Sequence, residues 1–183
     1  MLQNNNTRKI TLAGVLLAIA TISCYLATWF PTSKMALIAL ASFVSGVIIL
    51  ETGLRIGAAF TLASVATAFL VMLGQPIFII YATLFAPYGL VRAIIEKIQN
   101  KYLQILLKLV YFNLVFFLFL NLFETIVFNL DAVKKLVGLN DVDLLLFIGG
   151  SVAFLIYDYA FTLAMRFYQA RIARFVNKGE EEK

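Results

Sequence analysis

The sequence predicts an all-α, polytopic membrane protein: six transmembrane helices in one bundle, with the N and C termini cytoplasmic. Three observations carry that expectation. Hydrophobic residues make up 62% of the 183 and charged residues only 14%, with a mean hydropathy of +0.93, far outside the range of a soluble domain. The apolar runs are long and continuous rather than alternating, so helices, not barrel strands, satisfy the backbone in lipid. The basic residues gather at the ends of those runs. Too few residues remain outside the runs for a second domain, so 1–183 reads as a single transmembrane domain.

Residues 1–9 are polar, with Asn4, Asn5 and Asn6 ahead of Arg8 and Lys9. The first helix is expected over 10–30. A secretory signal would give way to a soluble chain; here further spans follow, so the first is read as retained. It ends at Trp29, Phe30 and Pro31, where interfacial aromatics meet a helix-stopping proline. The second helix is expected over 35–50, closed by Glu51 and Arg55, four apart in the favourable order for an ion pair. The third, 56–73, aligns Gly57, Thr61, Ser64 and Ala68 on one face, and such small residues suit a central position. Gly74, Gln75 and Pro76 form a turn.

The fourth helix, 77–97, is interrupted at Ala86, Pro87, Tyr88 and Gly89, where the proline should kink the helix and free a carbonyl. The fifth spans 103–130. A polar loop, 131–143, includes Lys134, Lys135 and Asp141 and offers itself as a lid over a pocket mouth. The sixth, 144–166, carries Gly149, Ala153, Ala160 and Ala164 on one face and Ser151, Asp158 and Thr162 on nearly the opposite one. Residues 167–183 form a charged cytoplasmic tail. With the amino terminus inside, Arg8, Lys9, Arg55, Arg92, Lys97, Lys101, Lys108, Arg166, Arg171, Arg174, Lys178 and Lys183 lie at the inner face. Only Lys34, Lys134 and Lys135 lie outside, and twelve against three is a strong positive-inside bias.

Absences narrow the function. With no histidine, the commonest general base, metal ligand and pH sensor are missing together. No metal site, cofactor or catalytic residue is expected, and no nucleophile and base pair points to an enzyme. The single Cys24 cannot form a disulfide within the chain. No phosphate-binding G-x-x-x-x-G-K-[ST] motif occurs, so any active transport draws its energy from elsewhere. The basic residues form no single patch of the kind nucleic acid requires.

The fifth helix carries the most informative pattern. At about 100° per residue, Asn113, Phe117, Asn121, Glu124 and Phe128 fall within roughly 80° of one face. A carboxylate in such a segment costs on the order of 3 kcal/mol and turns toward a partner, cavity or ligand. Glu124 and Asn121 are therefore the expected ligand contacts, with Asn113 deeper and Phe117 and Phe128 as apolar walls; interhelical bonding is the structural alternative. Trp29 and Tyr81 could stack on a planar ligand or simply anchor the chain at the interface. Asp158 is expected to pair with a basic residue such as Arg92 or Arg55. In the first helix Gly14 and Ala18, with Thr21, form a smooth strip suited to helix packing or to receiving another subunit.

Six spans, cytoplasmic ends, the basic start Arg8 and Lys9, and the small pair Gly14 and Ala18 together resemble the substrate-binding S component of energy-coupling factor (ECF) transporters. That family carries an alanine-based small-residue surface on its first helix, and here Gly14 replaces the first alanine. The resemblance implies capture of a vitamin-like micronutrient near the outer face of a prokaryotic cell membrane. It also implies docking of the first helix onto a transmembrane coupling subunit, with separate ATPases supplying energy. The alternative resemblance is to MreD, a membrane scaffold of cell-envelope assembly, in which the buried polar groups serve packing.

Overall fold

The computed structural model describes residues 2–30, 32–124 and 142–172, with side chains at 7, 9–30, 32–118 and 147–170. Among these residues every regular element is helical, and six helices are long and apolar enough to cross a membrane. They are α1 (Leu2–Trp29), α2 (Lys34–Thr52), α3 (Leu54–Val71), α4 (Ile77–Ile95), α5 (Lys101–Glu124) and α6 (Val142–Phe167). The lid loop expected over 131–143 falls almost wholly outside the described residues, as does the tail beyond 172.

The helix ends follow local chemistry. The chain leaves α2 and enters α3 through one residue, Gly53, at φ 86° and ψ 176°, a conformation open essentially only to glycine. That break overturns the expected Glu51 and Arg55 ion pair: the two residues lie on different helices, so the four-residue spacing no longer aligns them. Glu51 instead accepts a hydrogen bond from the Tyr168 hydroxyl at 2.9 Å. The expected turn after α3 is present, with Gly74 at φ 76° and the Gln75 amide donating to the Met72 carbonyl.

The interruption of α4 takes a particular form. Tyr81–Phe85 is a π-helical turn, and the Ala86 amide reaches back five residues to the Tyr81 carbonyl. Pro87 follows directly, so the amide it lacks falls where the helix has already widened. Ser42 of α2 donates to the Phe85 carbonyl at 2.6 Å, a side-chain substitute of the kind interrupted membrane helices use.

The chain divides into two compact units, Met1–Ile94 with Ala160–Lys183, and Ile95–Tyr159. In the first, α1, α2 and α3 pack on one another. Their contacts are made by small residues: Ala20, Cys24 and Ala27 of α1 and Ala41, Ser42 and Ser45 of α2 are buried. The predicted α3 face is buried as a set, Gly57, Thr61, Ser64 and Ala68 together with Phe60. Gly57 lies so close to Ile49 that a Cβ there would collide with it. Phe161 fills a notch over Gly46, edge-on to Phe43 and Tyr88, with the Arg92 guanidinium 4.8 Å above its ring. Arg92 also donates to the Thr162 hydroxyl at 3.1 Å.

In the second unit α5 and α6 run antiparallel along an aromatic seam. Phe112 stacks on Phe154 at 4.6 Å and Phe116 meets Phe147 edge-on at 5.3 Å. Gly150 leaves room for the Phe112 ring, whose Cζ would stand 3.3 Å from a Cβ at that position.

Candidate functional site

Among the described residues, each unit carries a polar grouping within its apolar interior. In the first unit it begins at the π turn. Tyr81 is fully buried; its hydroxyl is hydrogen-bonded to Ser64 of α3 and lies near the buried Cys24 thiol of α1. One turn further along α3, Thr67 accepts from Thr21 at 3.0 Å and donates to the Ser64 carbonyl. Thr21 also bonds the Leu17 carbonyl. The result is a chain of hydroxyls joining α1, α3 and α4, each with a partner, as the interior of a membrane demands.

In the second unit the seam ends in charge. Lys108, only 6% exposed, donates to both carboxylate oxygens of Asp158 at 2.9 and 3.1 Å. Its Nζ lies 3.5 Å from Glu96 Oε1, at the turn between α4 and α5. Further along the seam Asn113 donates its amide to the Leu109 carbonyl at 2.9 Å and accepts from Ser151 at 3.4 Å. A buried charge in lipid persists only when paired in this way.

The residues predicted from the sequence fall in three places. Asn113 is half-buried on the seam, whereas Phe117, expected as a pocket wall, is 57% exposed. Asn121 and Glu124 lie on the last turn of α5, where the backbone is described and the side chains are not; Phe128 lies outside the described residues. Trp29 is 68% exposed at the end of α1, tilted against Tyr25 at 6.2 Å, the placement of an interfacial anchor. Tyr81 serves the hydroxyl chain and presents no open face. Gly14 and Ala18 point outward on α1, and nothing lies within 4 Å of a Cβ at Gly14, whereas Thr21 turns inward to Thr67.

Lys108, which the sequence groups with the inner-face charges, is buried in the seam and paired with Asp158. The signal was a lysine seven residues inside an otherwise apolar run, opposite a second run holding a lone aspartate. Cys24, Ser64 and Thr67 were also not singled out as Tyr81's setting, because hydroxyls in apolar runs are common and their partners are distant in sequence.

The fold and its internal polar pairing define a multi-pass helical membrane protein. The chain matches no family model, no curated protein and no solved structure.

Proposed function

We propose that this chain is the substrate-binding subunit of an ECF-type micronutrient uptake transporter in a prokaryotic cell membrane, with both termini in the cytoplasm. The observation that carries the reading is the outward face of α1. Gly14 and Ala18, with Val15, Ile19 and Ile22 beside them, are exposed, while the opposite face bearing Ala20, Cys24 and Ala27 is buried. A smooth strip flanked by branched side chains suits close approach of a helix from another subunit. A coupling subunit seated there would link this chain to ATPases supplied in trans. The ligand would meet Glu124 and Asn121 near the outer end of α5. A small polar or aromatic micronutrient, cationic if Glu124 is ionised, fits an acidic contact.

A scaffold role resembling MreD draws on a different observation: Asn113, Tyr81, Lys108 and Asp158 all have partners within the chain. Two measurements separate the readings. Tagged protein in mild detergent should co-purify with an ATPase-containing complex, and Ala18→Leu should abolish that association without lowering stability. A thermal-shift panel of vitamins and their precursors should give a stabilising member, lost in Glu124→Gln. No shift with any member, together with unchanged stability of Glu124→Gln and retention of cell-wall proteins instead of ATPases, would favour the scaffold.

A further inference from the structure

Asn113 and Ser151 make a poor tie between α5 and α6. The Ser151 hydroxyl donates to the Asn113 side-chain oxygen at 3.4 Å, about 0.6 Å longer than an ordinary O–H···O bond. An asparagine side chain offers two N–H donors and an oxygen with two lone pairs. Here one N–H goes to the Leu109 carbonyl at 2.9 Å, and the oxygen holds only the long contact from Ser151. Among the described residues neither side chain has a further partner. One amide hydrogen, one oxygen lone pair and the lone pairs of the Ser151 hydroxyl are left over. Both residues are half-buried, so this spare capacity lies at the flank of the seam. Within a membrane span, polar groups of this kind turn to a cavity or a ligand, because lipid offers them no partner.

The surroundings of the pair define what would complete it. Leu109, Leu114, Val152 and Leu155 beside it are apolar. Lys108 and Asp158 are bonded to each other, and Asp158 lies seven positions beyond Ser151, about 10 Å along the helix. An uncharged group therefore suits the pair. Phe116 follows Asn113 by three positions and Phe147 precedes Ser151 by four, so in antiparallel helices both rings stand one turn nearer the Glu124 end of the seam. They meet edge-on at 5.3 Å, and both are half-buried. We propose that Asn113 and Ser151 recognise the inner end of a planar, uncharged heterocycle that carries a lactam edge, an N–H beside a C=O. Asn113 donates its free N–H to the ligand carbonyl, and its oxygen, with the Ser151 hydroxyl, accepts the ligand N–H. Asparagine makes the same two-point pairing with the edge of adenine. Phe116 and Phe147 border the ring. The proposal rests on the receptor reading above and narrows its ligand class.

The test uses the full chain with Cys24→Ala in lipid nanodiscs. Sulfonatoethyl methanethiosulfonate attacks thiolates, and so marks thiols that water reaches. Ser151→Cys should react at least about tenfold faster than Val152→Cys, an exposed position next to it on α6. Lumazine, an uncharged bicycle with lactam edges, should protect Ser151→Cys saturably. Its 1,3-dimethyl derivative, with both N–H groups blocked, should need about tenfold more for the same protection, the worth of one lost hydrogen bond. Adding Asn113→Ala should abolish protection. Equal rates at the two cysteines would make the pair a packed tie between helices and overturn the proposal. A fast Ser151→Cys that neither compound protects, or that both protect alike, overturns it too. A panel vitamin whose stabilising effect is lost in Glu124→Gln but kept in Asn113→Ala would sink this site and leave the receptor reading standing. If Ser151→Cys is not recovered folded, Asn113→Cys against the exposed Leu114→Cys decides by the same rates and protection.

Discussion

Placing a single methyl group on Gly46 tests the packing of the first unit. A Cβ at Gly46 would stand 2.6 Å from Phe161 Cζ, 2.9 Å from Cε1 and 3.0 Å from Met165 Sδ. Ordinary contact begins near 3.4 Å, so the ring must retreat by about 0.8 Å. Its routes are closed by Phe43 at 5.1 Å, Tyr88 at 5.5 Å and the Arg92 guanidinium at 4.8 Å. Overpacking of this kind costs about 1–3 kcal/mol, which is about one to two decades in the folding equilibrium. Gly14→Ala is the control: nothing lies within 4 Å of its Cβ, so helix propensity alone acts and stability should hold or rise by up to about 1 kcal/mol. Cys24, 1% exposed, provides the readout. Thiol labelling during an SDS titration in mixed micelles should report unfolding at lower SDS for Gly46→Ala than for wild type. Combining Gly46→Ala with Phe161→Leu should recover about 1 kcal/mol relative to the sum of the single changes, as neighbours sharing one space do. Equal stability of Gly46→Ala and Gly14→Ala would refute the reasoning.

Two neighbouring serines should respond with opposite signs in the same titration. Ser42→Ala removes the hydroxyl bonded to the Phe85 carbonyl and should cost about 1 kcal/mol; Ser45→Ala removes a buried oxygen with no hydrogen-bond partner and should be neutral or stabilising. Gly53→Ala forces a side chain into the backbone conformation at φ 86°, and a loss of about 1–3 kcal/mol is expected; no loss would mean that the junction of α2 and α3 readjusts freely. Trp29 is the single tryptophan, so its fluorescence should be quenched more strongly by lipids brominated near the headgroup than by lipids brominated near the chain end, if it anchors at the interface.

The spans were legible because continuous apolar stretches report lipid exposure directly, and α3's inward face was legible because small residues at helical spacing have few other uses. The turn at Gly74 was equally clear in outline. What the sequence concealed were choices decided by a single backbone conformation or a distant partner. Glu51 and Arg55 read as neighbours on one helix until Gly53 separates them, and no pattern announces that a glycine will take a positive φ. Pro87 marked the right region of α4, but the disturbance settled as a π turn ahead of it, with Ser42 supplying a bond from another helix. On the candidate site the reading divided. Asn113 bonds to its own helix and to Ser151, and Phe117 points outward. Lys108 reads as one more inner-face charge because one-dimensional tallies do not see a pairing fifty positions away.

The seat of Phe161 has a consequence for synthesis. Four spans of the first unit leave the ribosome long before the residue that plugs the space over Gly46. Until translation has passed Met165, those spans occupy the bilayer with an unfilled hollow. A premature stop codon in the last span would leave the hollow permanently vacant, and quality-control proteases would have a product that is inserted but incompletely closed.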